Sequence, residues 1–353
     1  MKTILLSLLC TLFSITANAQ ENVLAITEYT TINYGDGRLL LREANEDKTP
    51  LQGTHRLIHG YESAYIIADL KDGMFNGAYK YFKNNVLREE ATYKEGRFDG
   101  LRTNYHHDGK TIQRQISYID GKANGVSKTF SQSGNLESEK EFKLGVEDGF
   151  DRRYDSETNE ISMDTNYKEG KKHGKWTEHI SGNTGEAIRI SNFENGIAVG
   201  EYSEIYVSTG IVRQKGSYKN GKKDGVWIDN RSRTSKRSAK YDNGDKIESS
   251  SFFTNGKISK LISFRDNKKH GVTKEYYLNG NVKSEFNFEN GLECGEYKRY
   301  YEDGTLREDG MSENDSAISR KEYYDNGKLK SVAKSENGAW ETIERYDRSG
   351  NKE

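Results

Sequence analysis

The sequence predicts an all-β protein, an elongated, twisted single-sheet meander of tandem β-hairpin repeats. Three observations carry that prediction. Glycines four apart recur with a period of 23 to 26 residues, as Gly73/Gly77, Gly96/Gly100, Gly121/Gly125, Gly145/Gly149, Gly170/Gly174, Gly196/Gly200, Gly221/Gly225 and Gly291/Gly295, and a period in that range marks a repeat architecture. An aromatic stands three residues before each first turn position from Tyr93 onward: Tyr93, Tyr118, Phe142, Tyr167, Phe193, Tyr218, Tyr241, Phe264 and Phe288. Segments between turns are about 6 to 10 residues, the length of strands and not of helices.

Taken in order, residues 1–19 read as a cleavable export signal. Lys2 gives the positive start, Ile4 to Ile15 is mostly apolar, and Ala17-Asn18-Ala19 is an A-x-A cleavage site that makes Gln20 the first mature residue. The apolar run falls short of the ~20 residues a membrane span needs. Cys10 is an ordinary signal-core residue, because Leu9 stands where a lipobox, by resemblance, has a small one. The mature chain is therefore expected in the periplasm or outside the cell, and not as an integral membrane protein.

Residues 20–68 form a divergent N-terminal capping region, in which Thr30-Thr31-Ile32-Asn33-Tyr34, Gly35-Asp36-Gly37 and Leu39-Leu40-Leu41 give strand, turn, strand. Residues 69–309 are the repeat array. Within each unit a second turn ends in a dipeptide such as Asp108-Gly109, Ser133-Gly134, Asn279-Gly280, Asp303-Gly304 or Asn326-Gly327, suited to tight hairpins that demand positive φ. The Gly-x-x-x-Gly segment should link one unit to the next. Its mechanism is expected to reside in the residue before the second glycine, since Asn76, Asp99, Asn124, Asp148, His173, Asp224 and His270 are of the types that best tolerate φ > 0. Val199 and Cys294 break that rule. Two copies are partial, with Asn267 replacing the first glycine before Gly271, and Gly244 lacking the second. Residues 310–353 carry degenerate repeats and a polar tail. A further aromatic set, Tyr79, Trp176, Tyr202, Trp227 and Tyr297, follows the second glycine by two residues.

Composition sets the limits. Apolar residues are 33% of the chain, yet there are 23 Tyr and 13 Phe against a single Pro. Such aromatic content speaks against disorder, and the single Pro suits unbroken strand pairing. Net charge is −1 with both signs interspersed, and no basic block points to nucleic acid. Cys294 is the one cysteine after the signal, so packing and backbone pairing must hold the fold.

The motif Tyr167-x-x-Gly170-Lys171-x-x-Gly174-x-Trp176, repeated as Tyr218, Gly221, Gly225 and Trp227, and the Tyr276-Tyr277-x-Asn279-Gly280 segment resemble the MORN repeat family. The likeness is to its bacterial variant, found in exported repeat proteins and in proteins labelled antitoxin components. It covers roughly residues 69 to 304. The resemblance implies an elongated sheet of hairpins and a binding or scaffolding role, usually without catalysis. It supplies no shared catalytic residues.

A search for chemistry yields no catalytic, cofactor-binding or metal residues. His106 and His107 are adjacent, so a strand points them to opposite faces. His173, His270 and Cys294 share one turn slot. No phosphate loop occurs. Between Arg231 and Lys240 a basic cluster, Arg231, Arg233, Lys236, Arg237 and Lys240, reads as a solvated, lengthened hairpin. The expected function is that of an exported, non-enzymatic repeat protein whose sheet binds a protein partner. An antitoxin or immunity role, or binding of a lipid headgroup or envelope polysaccharide, are the alternatives.

Overall fold

A computed structural model of the chain describes residues 22–25, 27–59, 63–181, 185–230, 236–336 and 338–353. The signal segment, Gln20, Arg231 and Arg233 lie outside the described residues. Two compact units emerge, one of Met1–Glu147 with Asp155–Asn159, the other of Asp148–Tyr154 with Glu160–Glu353. Every regular element among the described residues is a strand. In both units the strands form an open antiparallel meander, each pairing with its neighbours in sequence. Asn22–Leu24 pairs in parallel with Gly53–His59 at the start of the first unit.

The first unit contains a hydrophobic cluster. Tyr29–Asn33 and Leu39–Glu43 pair as the expected hairpin, and Tyr29 and Leu41 join Leu51, Leu57, Ile66, Leu70 and Phe75 in it. The strand Ala64–Lys71 alternates buried and half-buried residues along most of its length, as a strand with one covered face must. The hairpin docks through backbone bonds at the first linking turn: Leu41 N–H donates to the Gly73 carbonyl at 2.7 Å, and Gly73 N–H to that of Leu51 at 2.9 Å. A Cβ on Gly73 would lie 2.5 Å from the Leu41 carbonyl oxygen, so this glycine is required for both its φ of 73° and its close approach.

The linking turns differ from the sequence expectation. The left-handed residues are those before the first glycine, namely Asp72, Glu95, Asp120, Leu144, Glu169, Asn195, Asn220, Asn243 and Asn290. With the glycine that follows, each makes a two-residue hairpin, as Lys71 pairing with Met74 shows around Asp72-Gly73. Such turns need φ > 0 at both central residues. Asn76 and its counterparts are not at positive φ. Instead their side chains join neighbouring repeats, accepting the N–H of the next turn's left-handed residue: Asn76 from Glu95 at 3.1 Å, Asp99 from Asp120 at 3.2 Å, Asn124 from Leu144 at 3.2 Å, Asp148 from Glu169 at 3.1 Å and Asp224 from Asn243 at 3.3 Å.

The second glycine is not a turn residue either. It lies in the strand at a bulge, where in the first copy Asp69 alone faces residues 76–78, between the pairs Leu70 with Phe75 and Ala68 with Tyr79. Copies that lack this glycine make a smaller bulge with one extra residue, Ile247, Ile318 or Ile343. The glycine therefore sets the size of the bulge. It also stands directly opposite the next aromatic of the series, as Gly77 with Tyr93, Gly100 with Tyr118, Gly125 with Phe142, Gly149 with Tyr167, Gly174 with Phe193, Gly200 with Tyr218, Gly225 with Tyr241 and Gly271 with Phe288. Phe264 has no such glycine opposite because the copy before it, at Gly244, has only the first.

At the interior turns only the glycine is left-handed, as at Gly109, Gly280, Gly304 and Gly327. The Asp or Asn before it acts through its side chain, which accepts the N–H two residues on, at 3.0 Å for Asp108, 2.9 Å for Asn279, 2.8 Å for Asp303 and 3.1 Å for Asn326. This is the pattern of a type I turn closed by a glycine bulge, not of a two-residue turn.

Candidate functional site

The two faces of the sheet differ, and the difference is built one cross-strand pair at a time. On one face, here the ring face, large and small residues stand opposite each other. Tyr79 is paired with Ala68 and Ala91, Trp176 with Ser191, Tyr202 with Gly216, and Tyr297 with Gly310. Cross-strand Cβ atoms are only about 5 Å apart, so a ring can lie flat only over a neighbour with little or no side chain. A Cβ on Gly216 would come within 2.2 Å of the Trp227 indole. By this means Trp227 and Tyr297 are each only 3% exposed, although among the described residues of the second unit every strand belongs to the one sheet and there is no helix. The rings contact one another, with centroids 5.2 Å apart for Tyr202 and Trp227 and 5.0 Å for Tyr218 and Trp227.

Beside the rings runs a row of buried or half-buried charged residues. Glu204 accepts the Tyr202 hydroxyl at 2.5 Å and Arg189 at 3.2 Å, and Arg213 is 3.4 Å away. Glu308 accepts the Tyr297 hydroxyl at 2.8 Å, with Arg299 at 3.5 Å. In the first unit Glu89 takes a two-pronged bond from Arg102 at 2.9 Å. A Tyr–Glu–Arg group could be mistaken for acid–base machinery. Burial, then the bond to glutamate, raises the pKa of Tyr202 and of Tyr297, so both phenols keep their protons and serve as donors. Tyr202 and Tyr297 hold the same repeat position, two residues after the second glycine, but Glu204 lies on the strand of its tyrosine and Glu308 on the next strand, so each bond is local packing and not a repeated constellation. Sequence reasoning missed them because the partners sit on neighbouring strands 11 to 15 residues apart, except for Tyr202 and Glu204.

The expected candidates fall elsewhere. His106 Nε2 bonds the Phe130 carbonyl at 2.9 Å, while His107 is exposed at the turn. His173 and His270 sit at the bulge with Nδ1 buried, and Cys294, in the same slot, is half-buried and free. Lys236, Arg237 and Lys240 lie at or beside the strand Arg237–Asp242. Among the described residues no group of three or more His, Cys, Asp or Glu could hold a metal, and no helix is long and apolar enough to cross a membrane.

The far edge is stitched by tyrosine. Tyr277, Tyr301 and Tyr324 donate their hydroxyls to the carbonyls of Tyr300, Tyr323 and Tyr346, at 2.8, 2.9 and 2.9 Å. Each spans one repeat, and His106 makes the equivalent bond in the first unit. These side chains are structural rungs, so they leave the two faces as the surfaces available for recognition.

On the opposite face of the second unit, charges alternate from strand to strand. Lys274 is paired with Glu285, Glu285 with Lys298, Lys298 with Asp309, and Asp309 with Lys321. Val226, Val272 and Met311 stand exposed on that face, and Lys298, Asp309, Met311, Lys321 and Val332 line a shallow groove there.

Comparison with known proteins agrees with the geometry. The family described as "MORN repeat variant" matches residues 123–144, 269–290, 293–314 and 319–337. No curated protein matches the chain. Among solved structures, a chain of the Photorhabdus luminescens Tc holotoxin pore, in a TccC3 mutant form, is similar at 11% identity over 91% of this chain and 19% of that one, with a TM-score of 0.14. The chain thus spans 19% of that chain's length, and a likeness at this score carries no structural argument. Each of the four matched regions reaches a linking turn or the strand beside it, three of them at Leu144-Gly145, Asn290-Gly291 and Asn314-Asp315. Four regions of the chain thus match the repeat described as the MORN repeat variant.

Proposed function

We propose that the chain is an exported, non-enzymatic repeat protein whose second unit binds a protein through the face opposite the rings. One observation carries the reading: alternating Lys and acidic residues from Lys274 to Lys321 are interleaved with exposed Val272 and Met311. Apolar anchors within a charged pattern suit a protein interface, where the apolar groups supply binding energy and the charges set register. MORN repeats as binding modules support this reading. The antitoxin reading has only the family resemblance behind it.

The test is crosslinking and affinity capture with the full chain from its own cell envelope, in parallel with Lys298→Glu/Lys321→Glu. The expected result is a partner held by the native chain and lost on charge reversal. Equal capture by both would remove this face from consideration. Export is checked separately, by N-terminal sequencing of the fractionated protein, with Gln20 as the expected first residue.

A further inference from the structure

The face opposite the rings carries a second regularity, visible when its residues are followed across strands. Four strands are central to it: Lys268–Tyr276, Val282–Glu289, Leu292–Tyr300 and Leu306–Glu313. Alternation along each strand brings its residues to this face in turn, and the register sorts them into two rows. One row runs Lys274, Glu285, Lys298, Asp309. The other runs Val272, Asn287, Glu296, Met311, with Asn287 Nδ2 donating to the Glu296 carbonyl at 2.6 Å across the bulge.

Both rows have the same centre, between Val282–Glu289 and Leu292–Tyr300. About it each residue has a counterpart of complementary chemistry. In the first row Glu285 answers Lys298, and Lys274 answers Asp309. In the second the Asn287 amide answers the Glu296 carboxylate, and Val272 answers Met311. Further out, Ser263 answers Ser319 and Glu248 answers Lys334. Leu261 answers Lys321, so no like charges meet. Cross-strand pairing within one sheet accounts for alternating charge along a row. It does not account for two rows with one centre, nor for Val272 and Met311, 39% and 40% exposed, at equal distances from it.

Such a centre is what a twofold axis requires. An axis parallel to the strands, in front of the face and over the gap between the two middle strands, brings a second copy face to face. It reverses the order of strands and keeps the rows, so every residue meets its counterpart, as in an isologous interface. The sheets would pack about 10 Å apart, as in a sandwich. A different protein would need no such centre. We propose that this face binds a second copy of the chain, with Val272 of each copy seated beside Met311 in the other's shallow groove. The proposal rests on the reading of this face as a protein interface and names its occupant. Six strands at about 4.8 Å and two rows of about 7 Å cover roughly 400 Å² per copy, half of a standard interface, so the dimer should dissociate in the micromolar range.

The test is sedimentation velocity of the full chain over a concentration series, with Val272→Asp, Met311→Lys and the double variant Val272→Asp/Met311→Lys. Both positions are exposed, so the fold tolerates either change, which circular dichroism checks. Within one chain they lie three strands apart, about 14 Å, too far to pair, whereas across the axis they meet. The expected result is a native dimer, a dissociation constant raised about tenfold in each single variant, as loss of one apolar anchor gives, and recovery in the double variant. A native chain that stays monomeric, single variants that dimerise as the native chain does, or a double variant no better than the singles would overturn the proposal. If the native chain stays monomeric while affinity capture still loses another protein on Lys298→Glu/Lys321→Glu, the face is an interface with a different occupant. If capture is unchanged as well, the reading of the face fails with the dimer.

Discussion

In the first unit the Tyr79 ring lies over Ala91, and behind it Leu57, Leu70 and Phe75 pack in a cluster with the N-terminal hairpin. In the second unit Tyr202 lies over Gly216, and Trp227 rests against that same glycine. Among the described residues, the buried hydrophobic cluster is confined to the first unit. The second relies on ring-over-glycine packing, paired charges and the rungs at both edges. The same repeat can thus be stabilised in two ways. Where a second layer is available, apolar side chains enter it. Where it is not, each strand must cover its neighbour's rings laterally, and stability is spread over many small contacts, as in repeat arrays generally.

Substitutions can break this comparison, beginning with the largest effect. Leu57, 1% exposed, is central to the cluster, so Leu57→Ala should cost the first unit about 3 kcal/mol or more through lost burial and the cavity left behind. Denaturant unfolding with Trp fluorescence as the probe adds a sharper reading, because Trp176, Trp227 and Trp340 all lie in the second unit. The fluorescence transition should then move less than the circular-dichroism transition. Equal shifts in both would show that the units unfold as one. Gly216→Ala should cost about 2 kcal/mol, because a methyl group would displace the Trp227 indole and overpack the face. The expected signature is a lower midpoint together with a changed Trp emission maximum. An unchanged emission maximum would mean the ring does not depend on that glycine.

The smallest effect tests the rungs. Tyr301→Phe removes the 2.9 Å bond to the Tyr323 carbonyl but keeps the ring. It should cost about 1 kcal/mol, the usual net worth of one hydrogen bond, detectable as a small shift in the thermal midpoint. A loss several times larger would show that the edge bonds act cooperatively along the array. No loss at all would shift the stabilising role to the face contacts alone.

Much of the fold was legible in the sequence because its signal is periodic. The glycine spacing and the aromatic series of Tyr93 to Phe288 gave strand length, repeat length and antiparallel order. The roles of the glycines were less legible. Both sit at positive φ in the structure, but spacing alone did not distinguish a turn glycine from a bulge glycine facing an aromatic. Asn76 and Asp99 were of a type that suits left-handed backbone, and that preference pointed to the wrong position. Their side chains instead meet the next repeat, at Glu95 and Asp120, a contact with no local signature.

The recognition surface was the least legible. Val272 and Met311 stand three strands apart, and nothing in the local pattern around either places them on one face. The sequence by itself determined the repeat, its period and the residues able to make its turns, because these depend on backbone conformation that a few neighbouring residues dictate. Only the tertiary structure decided which face each side chain occupies, since a bulge of one or two residues changes the register and can exchange the faces of a strand. It also decided which charges meet partners, because those partners come from strands that only pairing brings together.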